Sequence, residues 1–555
     1  MRILLVNPDN PAGSGRDLYT ADLYGALCLG KPFTNMYFGI PLGLPTLAAV
    51  TPPGHQVEIV DEAVQKVDFD GNWDLVGITG MTFKAPRAYE IADEFRRRGV
   101  PVVMGGIHAS MCPDEAATHV DSVVTGEADE IWPDIVRDAE AGRLQPRYQA
   151  ESAPDISRLP APRYDLTAQD HYLMFYLQTT RGCPHNCEFC TVTRFNGRRL
   201  RKKTPEQVVN EIREIFKLRY VPLRMKDDDH GGESKRCAPA AFFFTDDNFA
   251  GSRSHALAVC KALEKLQDEE GILMSWFTQV TCKVGDDDEL LEAMRAAGCR
   301  CLFMGFESVS EETLKTMNKS MNSPEDYDRI IDNVRAHGME VVASVILGGE
   351  SDRHDVGEQL EEFVRRNNIF YVLPNVMTPY PGTKLREKIE AQGRITCTDH
   401  GRYNIRNVVF EPALMSGRDL KKAYLKFCEN TLSFDGLIER AWATRKYPRR
   451  HRVSLPWRLL LLLVFSLTAI WKTLTSKITP AALLKALRAV PRFTLRNNSF
   501  MVYEMLCAAV DYDVFARSES ARLRAEIASE APVSYDSRVT KAMGTGYTGE
   551  ALGEI

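Results

Sequence analysis

The sequence predicts an α/β fold in two parts: a doubly wound (Rossmann-like) parallel sheet, then a partial (β/α)6 barrel of TIM type, with a helical region behind them. Three observations carry that expectation. Short apolar runs at 2–7, 57–61, 75–79 and 100–104 recur with helical segments between them, as parallel strands with crossover helices require. From residue 172 the same rhythm resumes and gives about six strand–helix units by residue 379. Beyond 384 the alternation fades. At 555 residues the chain exceeds one core, and about 150 residues per domain suggests three or four units. We place them at 1–140, a linker at 141–170, the barrel at 171–395, a helical region at 396–515 and a flexible tail at 516–555.

Hydrophobic content of 44%, charged content of 26% and a net charge of −6 describe a globular protein without a broad basic face, so a nucleic-acid partner is disfavoured. Thirteen cysteines without a framework of paired spacings fit a reducing cytoplasm. The opening MRILLVNPDN runs directly into a strand and shows no signal-peptide pattern.

In the first unit, residues 85–98 carry apolar positions at helical spacing, as a crossover helix should. Loops beyond the strand ends of an open sheet carry its ligands. Three stand out, at 7–13, 80–83 and 105–110, the last reading Gly105-Gly106-Ile107-His108-Ala109-Ser110. Gly105 and Gly106 permit close approach of backbone to a bulky ligand, although a glycine pair is as often a turn. His108 is read as a pocket residue or a plain surface or turn histidine. Further on, Thr204 and Pro205 open a helix expected over 204–219. The charged stretch 217–239, with Asp227, Asp228, Asp229 and His230, reads as a solvated loop rather than a metal site.

The chemistry concentrates at 179–193, where Cys183, Cys187 and Cys190 fall in a C-x3-C-x2-C spacing just past an apolar run. Thiolates bind zinc or iron–sulfur clusters, and a closed zinc site wants four ligands, usually in two pairs. No second pair is near, and His185 within the same tight loop would strain tetrahedral closure. Three thiolates on a [4Fe–4S] cluster leave one iron open to a ligand. A zinc knuckle or unrelated thiols are the alternatives.

At these residues the chain resembles the radical S-adenosylmethionine (radical SAM) superfamily, whose signature is C-x3-C-x-aromatic-C, with Phe189 in the aromatic position. The resemblance implies that the three cysteines hold a [4Fe–4S] cluster and that its open iron chelates S-adenosylmethionine, whose reductive cleavage gives a hydrogen-abstracting radical. The GGIHAS, CPDEA and TGEADEIWPDIV segments make residues 1–140 resemble the cobalamin-binding domain of one large subgroup. The D-x-H-x-x-G motif is missing, so the resemblance implies cobalamin without a protein histidine below it, and His108 as a pocket residue rather than a cobalt ligand. FTDDNF resembles a DDNF segment of the subgroup; it implies that Asp246 and Asp247 contact the amino end or ribose of S-adenosylmethionine, with capping of the next helix as their other reading. Glu307, in a GFES segment like the family's G-[IV]-E-S, is the leading carboxylate for the same groups, or else a helix cap. The run 341–350 matches the family's fifth strand, which places the Gly348 backbone beside adenine.

Residues 419–444 read as an amphipathic helix with Leu420, Tyr424 and Phe427 on one face. A basic run at 445–452 precedes thirteen apolar-dominated residues at 459–471, too few for a span needing about 20. They are a buried core helix or an interfacial element at an anionic membrane surface. By resemblance the reaction is methylation of an unactivated carbon, supported by an external one-electron donor such as flavodoxin or ferredoxin, and the apolar segment points to a lipid or isoprenoid as the substrate. Oxidative cyclisation, radical C–C coupling and a non-catalytic redox or cobalamin sensor are the alternatives.

Overall fold

Ile3, Leu4, Leu5 and Val6 are all fully buried, the pattern of a central parallel strand covered on both faces. They lie in β1 (Arg2–Asn7). The computed structural model describes residues 1–9, 39–172, 174–218, 224–227, 233–237, 241–447, 451–452, 484 and 516–529. In it β1 sits between β2 (Gln56–Asp61) and β3 (Leu75–Thr79), followed outward by β4 (Val102–Gly105), β5 (Ser122–Thr125) and β6 (Arg147–Gln149). All pairings are parallel. The order reverses between β1 and β3, and the crevice outside the carboxyl ends of such strands is where open α/β sheets bind ligands. Helix α1 (Ala85–Arg97) buries Ala85, Ala88, Tyr89, Ala92 and Phe95 at helical spacing, as its sequence predicts.

The first sheet runs on past residue 140, because β6 lies inside the stretch expected as linker. Its sequence, Arg-Tyr-Gln, is a short edge strand with no apolar run to announce it.

Six further parallel strands pair strictly in chain order. They are β7 (Met174–Leu177), β8 (Ala241–Phe244), β9 (Trp276–Val280), β10 (Cys299–Glu307), β11 (Glu340–Leu347) and β12 (Tyr371–Val376). The sheet is an open half-barrel, and Phe244, Trp276 and Phe306 fill its core. Between β7 and β8, α2 (Pro205–Leu218) starts on a reciprocal cap. The Gln207 N–H donates to Thr204 Oγ1 at 3.2 Å and the Thr204 N–H donates to Gln207 Oε1 at 2.8 Å. The charged stretch that follows is not loop throughout. Arg224–Asp227 and Glu233–Cys237 pair antiparallel, and residues 228–232 lie outside the described residues.

Helix α3 (Val356–Arg366) follows β11, and α4 (Gly417–Thr431) packs against it from beyond the barrel. The amphipathic run expected at 419–444 divides into α4 and α5 (Phe434–Ala443), with Leu420, Tyr424 and Phe427 buried as one face. The tail expected from residue 516 begins instead as a helix over 516–529, since Ala516 and Leu523, two turns apart, enter the core. The apolar run at 459–471 and residues 530–555 lie outside the described residues. No described helix is long and apolar enough to cross a membrane.

Leu420 ties the C-terminal region to the barrel: its Cδ2 lies 2.7 Å from where a Cβ on Gly348 would stand. Leu420→Ala is expected to cost about 2–5 kcal/mol, the range for truncating a buried leucine, read as a lower urea midpoint at unchanged slope. A cost below about 1 kcal/mol would mean that α4 is dispensable to the core.

Candidate functional site

The chain leaves β7 through Thr180–Arg181, which pairs antiparallel with Arg201–Lys202 and makes a ribbon around the three-cysteine loop. Two carboxylates from the end of β8 hold its root. Asp246 is fully buried; it accepts from the Thr179 N–H at 3.0 Å and from the Thr179 and Thr180 hydroxyls, each at 2.6 Å. Asp247 accepts from the Gly182 N–H at 2.8 Å and Asn196 Nδ2 at 2.9 Å. Gly182 has φ +96°, and a Cβ there would stand 2.5 Å from the Arg199 carbonyl oxygen, so only glycine fits. This corrects the expectation for Asp246: with no exposure and its bonds spent on the ribbon, it neither faces S-adenosylmethionine nor caps a helix. Asp247, half-buried, has its known bonds directed to the same loop.

Distant elements grip the loop itself. Glu188 donates its N–H to the Met317 carbonyl at 3.0 Å and accepts from the Leu385 N–H at 3.0 Å, while Asn318 Nδ2 donates to the Asn186 carbonyl at 2.7 Å. Phe189 packs on the apolar patch of Met317, Ile346, Met377, Leu385, Ile389 and Phe410. Cys183, Cys187 and Cys190 are half-buried and free of disulfides. Burial pushes all three thiols up, Cys190 to about 12. The His185 N–H at Cys183, the Val192 N–H at Cys190 and the Lys319 ammonium near Cys187 pull the other way. Three soft donors with N–H groups at their sulfurs fit an iron–sulfur cluster, whose bound iron would hold them as thiolates.

Glu307 ends β10 at a bulge with φ 63°, a strained conformation for a non-glycine residue. Tyr327 Oη, donating toward the Phe306 carbonyl at 3.0 Å, and Asn322 Nδ2, donating to the Gly305 carbonyl at 2.8 Å, fix the backbone around it. The carboxylate is ion-paired with Lys319, and Ser344 Oγ donates to its other oxygen at 3.4 Å while accepting from Asn375 Nδ2 at 2.9 Å. The helix-cap reading of Glu307 fails, because Ser310 caps the next helix through the Thr313 N–H. Gly348, φ +98°, donates its N–H to Asp352 at 2.9 Å and lines a small cavity beside Phe189.

Across from this edge lie the loops of the first sheet. Gly106 has φ +92°, and a Cβ there would stand 2.6 Å from Thr79 Oγ1, so this glycine lets the loops after β3 and β4 pack together. Gly105 has more room, with Val124 Cβ at 3.5 Å. His108 is fully buried, its Nε2 2.8 Å from Tyr89 Oη, and so is not a surface histidine.

The two units are joined by a buried ion cluster. Arg181 Nη1 donates to Glu127 at 2.7 Å and Asp129 at 2.8 Å, and Arg201 Nη2 donates to the other Glu127 oxygen at 2.5 Å. Burial draws the Arg181 pKa down, and the two carboxylates more than reverse this. The Gly126 N–H donates to Ser110 Oγ at 3.0 Å, linking the clamp to the glycine-rich loop. An open cleft of about 440 Å³ follows the seam, with Ser110, Thr125 and Gly126 on one wall and Arg194, Phe195 and Gly382 on the other. The residues Arg181, Glu127, Asp129, Lys319 and Ser344 escaped the sequence reading. Glu127 and Asp129 lie in the TGEADEIWPDIV segment and Arg181 in the stretch 179–193, but no spacing rule pairs their charges.

A doubly wound domain followed by a half-barrel with a three-cysteine loop defines a radical SAM enzyme with an added cobalamin domain. Residues 36–136 match the B12 binding domain and residues 241–363 the Radical SAM superfamily. The chain is 33% identical over 405 residues to bacteriochlorophyllide d C-8(2)-methyltransferase of Chlorobaculum tepidum, covering 70% of this chain and 85% of that protein. It is 28% identical over 417 residues to hopanoid C-2 methylase of Rhodopseudomonas palustris, covering 74% and 75%. The fold resembles the cobalamin-dependent S-adenosylmethionine radical enzyme OxsB, with a TM-score of 0.57 at 13% identity over 95% of this chain and 80% of that one. The chain belongs to the cobalamin-dependent radical SAM methyltransferase family, whose cofactors are a [4Fe–4S] cluster, S-adenosylmethionine and cobalamin.

Because Asp247 positions the loop rather than its ligands, Asp247→Ala should leave the far-ultraviolet spectrum unchanged. Cluster iron retained under a chelator should fall by about tenfold, the scale of outer-shell losses at metal sites. Iron retention equal to wild type would remove Asp247 from this role.

Proposed function

We propose that the protein methylates an unactivated carbon of a hydrophobic substrate of the lipid or isoprenoid class. The observation that carries this reading is the ion cluster of Glu127, Asp129, Arg181 and Arg201, which sets the loops of the first sheet against the cysteine loop of the barrel. Two cofactors held by separate domains can serve one substrate only if their edges are fixed face to face. When bound, the cofactors supply hydrogen abstraction and a cobalt-carried methyl group; the protein supplies binding and orientation.

In this reading Cys183, Cys187 and Cys190 hold the cluster, while Phe189 and the Gly348 turn line the adenine side. Glu307, kept in place by Lys319 and Ser344, orients the amino or ribose group of S-adenosylmethionine. Asp247 serves that site indirectly, through the loop root. The Gly105–Gly106 loop and the helical turn carrying His108 back the cobalamin side. The lipid class is supported by the relative named as a hopanoid C-2 methylase, and carbon methylation by that relative and the one named as a bacteriochlorophyllide d C-8(2)-methyltransferase. The basic run at 445–452 ahead of the apolar run at 459–471 supports peripheral contact with an anionic membrane surface. An external one-electron donor of the flavodoxin or ferredoxin kind completes the system.

The test is anaerobic turnover of the reconstituted enzyme with methyl-deuterated S-adenosylmethionine and hopanoid or isoprenoid extracts. We expect 5′-deoxyadenosine, S-adenosylhomocysteine and a deuteromethylated lipid together. Glu307→Gln should lower deoxyadenosine formation by about 100-fold, as misplacement of a reactant does. Deoxyadenosine with no label in product would favour cyclisation or coupling. Intact S-adenosylmethionine after reduction would indicate a sensor.

A further inference from the structure

A second group of metal-type ligands lies on the seam between the first sheet and the segment that follows the barrel. We propose that His108, Glu115 and His400 form a divalent transition-metal site, suited to Zn²⁺, that staples this segment to the first domain. One ligand atom from each residue falls within 4.8 Å of the others. His400 Nδ1 is 3.1 Å from Glu115 Oε1, and His108 Nε2 is 3.9 Å from the same oxygen. Tetrahedral ligands at zinc bond lengths near 2.0 Å stand about 3.3 Å apart, so only small side-chain shifts are needed.

The donor set is right for zinc: two imidazoles and a carboxylate, with a fourth position left over. The sequence places His108 and Glu115 two turns apart, on the successive short helices Ile107–Met111 and Pro113–Ala116. His400 arrives from the turn His400–Arg402, after the half-barrel is complete. That turn packs on α1 and on the turn before it, Thr82–Lys84. The His108 and His400 rings meet edge to face with centroids 5.0 Å apart.

His108 is fully buried and presents Nε2 toward Glu115, so the proposal stands on the convergence of these three side chains. Tyr89 Oη, 2.8 Å from Nε2, holds the ring in place and competes with the metal for that nitrogen.

The site differs from the cysteine loop in ligands and in role. It would bind zinc in the resting protein and act on the docking of 397–403, not on the radical chemistry.

The experiment uses the full-length holoenzyme, dialysed first against Zn²⁺ alone and then against a weak chelator, with zinc, iron and cobalt counted by mass spectrometry. We expect about one zinc per chain beside unchanged iron. Glu115→Gln and His400→Ala, at the partly exposed rim, should each weaken zinc retention by at least about tenfold while iron stays at the wild-type level. The same zinc should persist when Cys183, Cys187 and Cys190 are all replaced by alanine in protein with a native circular dichroism spectrum. Wild-type protein without zinc, zinc that survives in both rim variants, or zinc that leaves with the cysteines would each overturn the site.

Discussion

The cluster of Arg181, Arg201, Glu127 and Asp129 is the constraint on which the rest of the molecule depends. Two guanidinium groups and two carboxylates are removed from water together, and such burial is costly unless every charge is matched. Here each carboxylate takes charge-assisted bonds from at least one arginine, and Arg201 also reaches the carbonyls of Pro154 and Asn196. An apolar contact of the same area would slide; the fork geometry of arginine on carboxylate sets an orientation. Arg181 lies two residues before Cys183 and Glu127 two residues after Thr125, so the clamp fixes the cysteine loop and the loop after β5 at their roots.

The same logic repeats inside the barrel. Asp246 and Asp247 lie in the loop after β8, beside the strand end from which the cysteines depart, and their bonds fasten the ribbon and the loop root. Glu307 sits in a strained bulge that Tyr327 and Asn322 hold open, with Lys319 placed between its carboxylate and the cysteine loop. Carboxylates at the ends of β8 and β10 thus divide the work: those on β8 build the loop, and the one on β10 remains at the site. Their partners decide which is which, since Asp246 and Asp247 bond to the ribbon and the loop root whereas Glu307 pairs with Lys319 and Ser344.

The central strands β1 and β3 were legible because each buries both faces and so reads as an unbroken apolar run. Elements that bury little were hidden. The edge strand β6 has no apolar pattern, the hairpin at Arg224–Cys237 is built from charged residues, and the helix at 516–529 offers the core only two small anchors. At the site, Cys183, Cys187, Cys190 and Phe189 were legible because their spacing is local. The partners of Asp246 lie 67 and 66 residues away, the Arg181 clamp joins residues 54 and 52 apart, and His400 meets Glu115 across 285. Contacts of that range depend on topology, and no short motif encodes them.

If the ion cluster holds the cysteine loop close to the loops of the first sheet, magnetic resonance reads that proximity directly. In protein loaded with cluster and cobalamin and reduced so that both the cluster and cob(II)alamin are paramagnetic, the cobalamin signal should be split or broadened by coupling to the cluster. In Arg181→Ala, with cluster iron and cobalt contents matched to wild type, that coupling should weaken. A wild-type spectrum equal to the simple sum of two isolated centres, or a coupling untouched by loss of Arg181, would contradict the central claim.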